Sequence, residues 1–425
     1  MVYALNNNRY EQIRKNLTSW HSMFLPAAND KVTHFSSSPE EVWLACSGTP
    51  QGCSWEEPSS LETTSLRKMH SCSMLRRFCC YNGASSGLKP ATNKKQLVFM
   101  GSPEVSVSVL DALFDESKAP DSPFQVAAIV TQPPSRKDRG RKVMPSPVAQ
   151  HALDRGFPSD LIFTPQKAGE EEFLCDLRAL KPELCITAAY GNILPRKFLK
   201  IPPLGTVNVH PSLLPLYRGA APVQRAVQDG VKETGTSLVY TVRALDAGPV
   251  IACERYEVDD HIKATELLGI LFDKGSELLI RELPSIFDGS AREKAQPQDD
   301  SKATHAAKLT PEEAWLSFDQ EAFVLHNKVR AFAGWPGTRA KICILDPLNG
   351  QQDTLEVKII TTRICIQKDV QDHAKDDVTL VGGALQFSCG GDTTLEVLEL
   401  QLPGKKPVNA ASFWNGLRGR KVKRL

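Results

Sequence analysis

From Gln96 onward the chain alternates short, nearly all-apolar runs with amphipathic stretches, and this alternation constrains the fold more than any other feature. Leu97–Met100, Val126–Val130, Leu161–Phe163, Leu184–Ala188 and Thr206–His210 are too short for helices. Runs of that kind suit strands buried on both faces of a parallel sheet. Between them, the segment from Glu104 sets Val105, Val109, Ala112 and Leu113 on one helical face. A helix follows Pro147 and ends near Gly156, and Glu171–Leu180 reads as another. Strand–helix alternation predicts an α/β domain, a Rossmann-like parallel sheet with helices on both faces. In open sheets of this type ligands collect at the carboxyl ends of the strands. The first turn, Gly101-Ser102-Pro103-Glu104, lacks GxGxxG, so a bound dinucleotide is not supported.

Two further strand-like runs, Ser237–Val242 and Val250–Val258, flank the turn Leu245-Asp246-Ala247-Gly248-Pro249, and a long helix from Ala264 to Phe287 closes this domain, placed at 96–287. Residues 288–304 are polar, with Gly, Pro and adjacent aspartates, and read as a linker. In the remainder, 305–425, a helix at Phe323–Phe332 and the turn Gly334-Trp335-Pro336-Gly337 precede short strands at Ala340–Leu345, Leu355–Gln367, Val378–Val381, Ala384–Ser388 and Leu395–Gln401. These predict a small, OB-like β-barrel. A helix from Asn409 and a basic tail (Arg418, Arg420, Lys421, Lys423, Arg424) follow.

The net charge of the 425 residues is +2, so contact with a polyanion requires a local patch. Eleven cysteines include no CxxC pair and no Cys/His set with metal-site spacing. No metal is therefore expected, and the thiols suit a reducing compartment. No apolar run reaches the ~18 residues of a membrane span. The leader, 1–95, is rich in Ser, Thr and Pro and lacks sustained periodicity. Within it, Met69–Lys95 carries Arg76, Arg77, Lys89, Lys94 and Lys95 and no Asp or Glu. Such a segment reads as an organelle transit peptide, mitochondrial in preference to chloroplast. Glu40, Glu41, Glu56, Glu57 and Glu62 do not fit that pattern, so Met69 is read as the start and 1–68 as an over-extended gene model.

Asn208 and His210 lie two apart at the end of an apolar strand, which turns both side chains to one face. Beside them runs Pro211-Ser212-Leu213-Leu214-Pro215, stiff and apolar enough to wall a pocket, and Asp246 sits on the later Gly/Pro turn. An amide, an imidazole and a carboxylate suit acyl transfer to an amine. Asn208 and a protonated His210 would donate to the developing oxyanion, and Asp246 would orient the ring and favour its charged form. No Ser or Cys is placed as a nucleophile, so the attack would be direct. Spacing alone equally allows an Asn and a His that satisfy loop carbonyls, and an Asp that only shapes a turn.

Four blocks in register decide between these readings. Asn208-Val-His210-Pro-Ser212-Leu-Leu-Pro215, Arg218-Gly219-Ala-Ala-Pro222-Val-Gln224, Thr234-Gly235-Thr and Leu245-Asp246-Ala-Gly248 resemble the signature of the folate-dependent formyltransferases. The resemblance implies that Asn208, His210 and Asp246 are catalytic and that Ser212, Leu213, Leu214 and Pro215 contact folate. Pro211 departs from the small residue usual there. The likeness extends to the family's methionyl-tRNA branch through Val98-Phe-Met-Gly101-Ser-Pro103-Glu, Arg139-Gly140-Arg141-Lys142-Val-Met144-Pro145-Ser146-Pro147, Ala189-Tyr190-Gly191-Asn192-Ile-Leu194-Pro195 and Phe332-Ala-Gly-Trp335-Pro336-Gly337. It implies folate contacts at Tyr190 and Gly191, and tRNA contacts at Arg139, Arg141 and Lys142, with the C-terminal barrel at 305–425 and its basic tail as a second tRNA-binding region. In a basic loop, guanidinium groups suit phosphates or the end of an acceptor stem. Asn192 stands at a usually apolar place, and the C-terminal blocks, such as Ala314-Trp315-Leu316-Ser317-Phe318, match loosely. The implied enzyme is a monomer that uses 10-formyltetrahydrofolate as co-substrate, without a metal, and initiator methionyl-tRNA as acceptor. Its rivals are a glycinamide ribonucleotide-type formyltransferase, the hydrolase part of a formyltetrahydrofolate dehydrogenase, and a non-catalytic folate- or tRNA-binding protein.

Overall fold

The computed structural model describes residues 94–136, 143–365 and 376–425. The transit-segment reading, like the basic-loop residues Arg139, Arg141 and Lys142, lies outside the described residues, apart from Lys94 and Lys95.

The first half contains β1 (Lys95–Gly101), α1 (Val105–Ser117), β2 (Phe124–Val130), β3 (Ser135–Arg136), β4 (Val143–Met144), α2 (Pro147–Asp154), β5 (Ile162–Phe163), α3 (Glu171–Leu180), β6 (Leu184–Ala188), α4 (Arg196–Leu199), β7 (Thr206–His210), β8 (Arg218–Gly219), α5 (Pro222–Gln228), β9 (Glu233–Tyr240), β10 (Val250–Glu257), α6 (Ala264–Phe287) and α7 (Ser290–Lys294). Among the described residues its main sheet runs β10-β9-β7-β6-β1-β2-β5. The five predicted strands pair in parallel, whereas β9 pairs antiparallel with β7 and β10 antiparallel with β9. The sheet is therefore mixed. The short connection through Asp246 permits only a hairpin between β9 and β10, since a parallel return needs a crossover of a dozen residues or more.

Both faces of the parallel part are covered. Leu97, Phe99, Ile129, Leu184, Ile186 and Val207 pack with α1 and α6, and Val98, Met100, Val130 and Cys185 pack with Phe173, Leu174 and Leu177 of α3. This two-sided burial explains the lack of polar alternation in these strands. Helix α6 buries Leu267, Leu271, Leu278, Leu279, Leu283 and Ile286. It passes so close to β7 that a Cβ on Gly275 would lie 2.5 Å from Val209 Cγ1. Glycine there lets the helix back the strand that carries Asn208 and His210.

The second half contains β11 (His305–Ala306), α8 (Ala322–Ala331), β12 (Thr338–Leu345), β13 (Gln352–Ile364), β14 (Asp377–Val381), β15 (Ala384–Ser388), β16 (Thr394–Gln401), β17 (Val408–Asn409), α9 (Ala410–Gly416) and β18 (Lys421–Arg424). Its strands pair antiparallel in the order β13-β12-β18-β14-β15-β16-β17, and a further β13–β16 pairing closes β12, β13, β16, β15, β14 and β18 into a barrel. The basic tail is thus a barrel stave. Val422 is buried in the barrel core while Lys421 and Lys423 alternate with it. Among the described residues, no helix is long and apolar enough to cross a membrane.

The polar segment 288–304 does more than join the halves. Gln296 bridges Val250, Thr304 N donates to Pro215 O (3.3 Å), and His305–Ala306 pair in parallel with Arg218–Gly219. The segment forms a strap along the loops that follow β7 and β9. Its polar residues, which suggested a linker, make hydrogen bonds to those loops.

Candidate active site

The site lies at the carboxyl edge of the parallel strands, where β6 and β7 end side by side. Asn208 is the register partner of Thr187, and Thr187 Oγ1 donates to Asn208 Oδ1 at 2.8 Å. With its oxygen held, the amide presents Nδ2 as a donor.

His210 is buried, as the end of a strand in the middle of the sheet requires. Its Nε2 lies 3.1 Å from the carbonyl of Tyr217, and its Nδ1 lies 3.9 Å from Asp246 Oδ2. Since a carbonyl only accepts, Nε2 carries a proton. The ring therefore turns Nδ1 toward Asp246 and the site. Tyr217 holds its carbonyl in place with a left-handed backbone (φ 58°), an arrangement that costs about 1–3 kcal/mol for a non-glycine residue. Its amide donates to Thr304 Oγ1 (2.8 Å) and its hydroxyl to Asp229 Oδ2 (2.9 Å). Burial, reinforced by Asp229, pushes the Tyr217 phenol well above its ordinary value, so the hydroxyl stays a donor.

Asp246 also has left-handed backbone (φ 47°). Its Oδ2 accepts from the Gly219 amide at 2.9 Å. Gly219 itself has φ 129°, and a Cβ there would lie 2.6 Å from Ala306 O, so this donor position demands glycine. Strained backbone at Tyr217 and Asp246, on two separate loops facing one imidazole, marks a site held in place by its surroundings.

The loop expected to contact folate is braced from within. Ser212 is fully buried, with its Oγ donating to Leu216 O (2.7 Å) and its own carbonyl accepting from Ser237 Oγ (2.7 Å). Ser237 Oγ also accepts from Leu214 N (3.2 Å). Leu213, Leu214 and Pro215 are half-buried and keep apolar surface available. Tyr190 is buried, and its carbonyl accepts from Ser102 Oγ and Gln132 Nε2 at the ends of β1 and β2. Gly191 beside it takes φ 89°. The turn at Tyr190–Gly191 thus edges the same rim of the sheet.

The basic loop is carried on the hairpin stem β3–β4, with Ser135 opposite Met144 and Arg136 opposite Val143. Ser146 Oγ, just past this stem, caps α2 through Ala149 N (3.0 Å) and lies 2.6 Å from Thr131 Oγ1. Among the described residues, no cluster of His, Cys, Asp or Glu could hold a metal ion.

The structure sets His210 Nδ1 3.9 Å from Asp246 Oδ2, with Asn208 two residues before His210 on the same strand. What spacing did not predict is the machinery that holds them: Thr187, the Tyr217 carbonyl, Ser237 and the strap. Ser237 takes its place from pairing, since the register of β7 with β9 sets it opposite His210.

Known proteins carry the same organisation. The family model described as formyl transferase matches residues 95–283, and that of the formyl transferase C-terminal domain matches residues 308–418. A methionyl-tRNA formyltransferase of Bacillus licheniformis is 37% identical over 325 residues, covering 76% of this chain and 95% of that protein. One from Pelobacter propionicus is 36% identical over 327 residues, covering 76% of this chain and 94% of that protein. The fold is shared with WlaRD, a sugar 3N-formyl transferase solved with dTDP and 5-N-formyl-THF. That match has a TM-score of 0.51 at 15% identity and covers 74% of this chain and 99% of that one. A catalytic match alone would leave the ribonucleotide-type rival open. The match continues through the barrel and over nearly the full length of the two bacterial relatives, and on that ground the chain belongs to the methionyl-tRNA formyltransferase family.

Proposed function

We propose that this enzyme transfers the formyl group of 10-formyltetrahydrofolate to the α-amine of methionine on an initiator tRNA. The observation that carries the reading is the Asn208 amide, held by Thr187 with Nδ2 presented, on the strand that also places His210 against Asp246. The residues fit the co-substrate. The polar atoms of the 212–215 loop are largely satisfied internally, which leaves Leu213, Leu214 and Pro215 as an apolar wall beside the Tyr190–Gly191 turn.

10-Formyltetrahydrofolate supplies the carbonyl carbon. The chain supplies charge stabilisation and orientation. Asn208 Nδ2 donates to the oxygen that gains negative charge as the amine adds. His210, with Nε2 on the Tyr217 carbonyl, offers Nδ1–H as the second donor when the ring is protonated. One such donor is worth ~100–1,000-fold in rate. Asp246, with Oδ2 on the Gly219 amide, orients the imidazole and has a second oxygen to take the proton the amine loses. The adduct then collapses by breaking the bond from the formyl carbon to folate N10, which takes up a proton and leaves as tetrahydrofolate. Arg139, Arg141 and Lys142, between β3 and β4 in the sequence, contact the acceptor tRNA.

The test is formylation of charged initiator tRNA with 10-formyltetrahydrofolate. Transfer is expected, with His210→Ala and Asn208→Ala each losing at least about 100-fold in kcat. Transfer to a ribonucleotide amine and none to tRNA would overturn the acceptor, and full rate in His210→Ala would overturn the mechanism. We place this reaction in the mitochondrion on the acid-free, basic Met69–Lys95 segment. A reporter fused to that segment is expected to be imported, and a cytosolic reporter would overturn the location.

A further inference from the structure

We propose that Gln298, in the strap joining the two halves, is a positioning residue for Asp246; the inference rests on the catalytic role proposed above for that carboxylate. The Gln298 amide is used at every direction its chemistry allows toward the site. Nε2 donates to the carbonyl of Asp246 and to that of Gly248, both at 2.7 Å. Oε1 accepts from Arg218 Nε at 2.9 Å. Arg218 is buried, and its Nη2 donates to Asp300 Oδ1 of the same strap at 2.8 Å. One half-buried side chain thus grips two carbonyls of the turn that carries Asp246, and is itself held by a guanidinium neighbouring Gly219, the residue whose amide binds the Asp246 carboxylate.

The grip has a physical purpose. Asp246 sits at φ 47°, left-handed backbone that costs free energy for any residue but glycine. The two donated bonds fix the Asp246–Ala247 and Gly248–Pro249 peptide planes, and so fix where the carboxylate lies relative to His210 Nδ1. Leucine at 298 fills the space and grips neither carbonyl. Glutamate keeps the partner of Arg218 and loses both donors, setting its own oxygens against two carbonyl oxygens. The role therefore needs the amide nitrogen, and the arginine contact alone does not supply it.

Two measurements test this. In formylation assays Gln298→Leu and Gln298→Glu are expected to lose about 10–100-fold in kcat, with KM for the formyl donor within about twofold and an unchanged melting temperature. In a cycle with Asp246→Asn the loss from Gln298→Leu is expected to shrink to less than threefold, because the misplaced carboxylate is already gone. NMR-detected exchange of the Gly219 amide reads the carboxylate's placement without turnover. It is expected to accelerate in Gln298→Leu as much as in Asp246→Ala, while amides of α6 stay protected. Protected Gly219 in Gln298→Leu, or a Gln298→Glu enzyme with normal kcat, overturns the inference. An enzyme with no formyl transfer but with coupled Gly219 exchange would instead overturn the catalytic reading and leave the positioning intact.

Discussion

Whether Asn208 acts as a donor is decided by its neighbour. An amide can present oxygen or nitrogen to the site, and the 2.8 Å bond from Thr187 Oγ1 to Asn208 Oδ1 selects nitrogen. Thr187→Val keeps the shape and removes the selection. It is expected to lower kcat about tenfold, the equivalent of ~1.4 kcal/mol, with KM for either substrate unchanged. A Thr187→Ser enzyme is expected to recover most of the rate. Normal kcat in the valine variant would show that the amide is oriented by something else. Asn208 and His210 were legible in the sequence because period two in a strand is a strict rule. Thr187 was not: one threonine in an apolar strand reads as filler, and its importance exists only through the pairing of β6 with β7. The Tyr217 carbonyl was illegible for a different reason, since every residue has a carbonyl and only a left-handed backbone turns this one toward His210.

At the scale of elements, helix α8 shows how the halves are fastened. His326 Nδ1 lies 2.9 Å from Thr362 Oγ1 in the barrel and its Nε2 lies 3.1 Å from the carbonyl of Asp260 in the first half. Arg330 on the same helix donates to the carbonyls of Asp259 and Ile262. Burial holds the His326 imidazole below its ordinary value of 6.5, although the Asp260 carbonyl pulls the other way. The folded chain thus resists a proton that the unfolded chain accepts. This contribution to stability is complete above the unfolded value and is lost as pH falls through it toward the lower folded one. The melting temperature is therefore expected to drop between about pH 7.5 and about pH 5.5, and to drop less in His326→Gln, whose amide can make both contacts. An equal drop in both proteins would assign the acid sensitivity to other groups. Helix positions such as Glu171–Leu180 and Ala264–Phe287 were readable to the residue, because an amphipathic period reports a single buried face. The antiparallel direction of β9 and β10 was not read from their composition, and the strand at Lys421–Arg424 was not read within the basic tail because only Val422 faces inward.

At the scale of the whole molecule, recognition of a large acceptor is expected to divide from the chemistry. Arg139 lies outside the described residues, in the sequence between β3 and β4. Arg139→Ala is expected to raise KM for charged tRNA about tenfold, leave KM for the formyl donor alone, and reduce the salt slope of tRNA binding by about one. Equal loss toward both substrates would remove its assigned role. The segment that the sequence presented as a neutral connector has its own consequence for anyone recombining these enzymes. A crossover placed in the polar stretch 288–304 would splice one parent's Gln298, Asp300 and Thr304 onto another parent's Arg218, Tyr217 and Asp246 turn. Such hybrids would inherit two sound halves and a mismatched seam. A junction beyond Ala307, whose carbonyl accepts from Arg225, keeps the strap with the catalytic parent, and leaves the Arg225–Glu313 pair and the α8 contacts to be matched when the barrel is grafted after it.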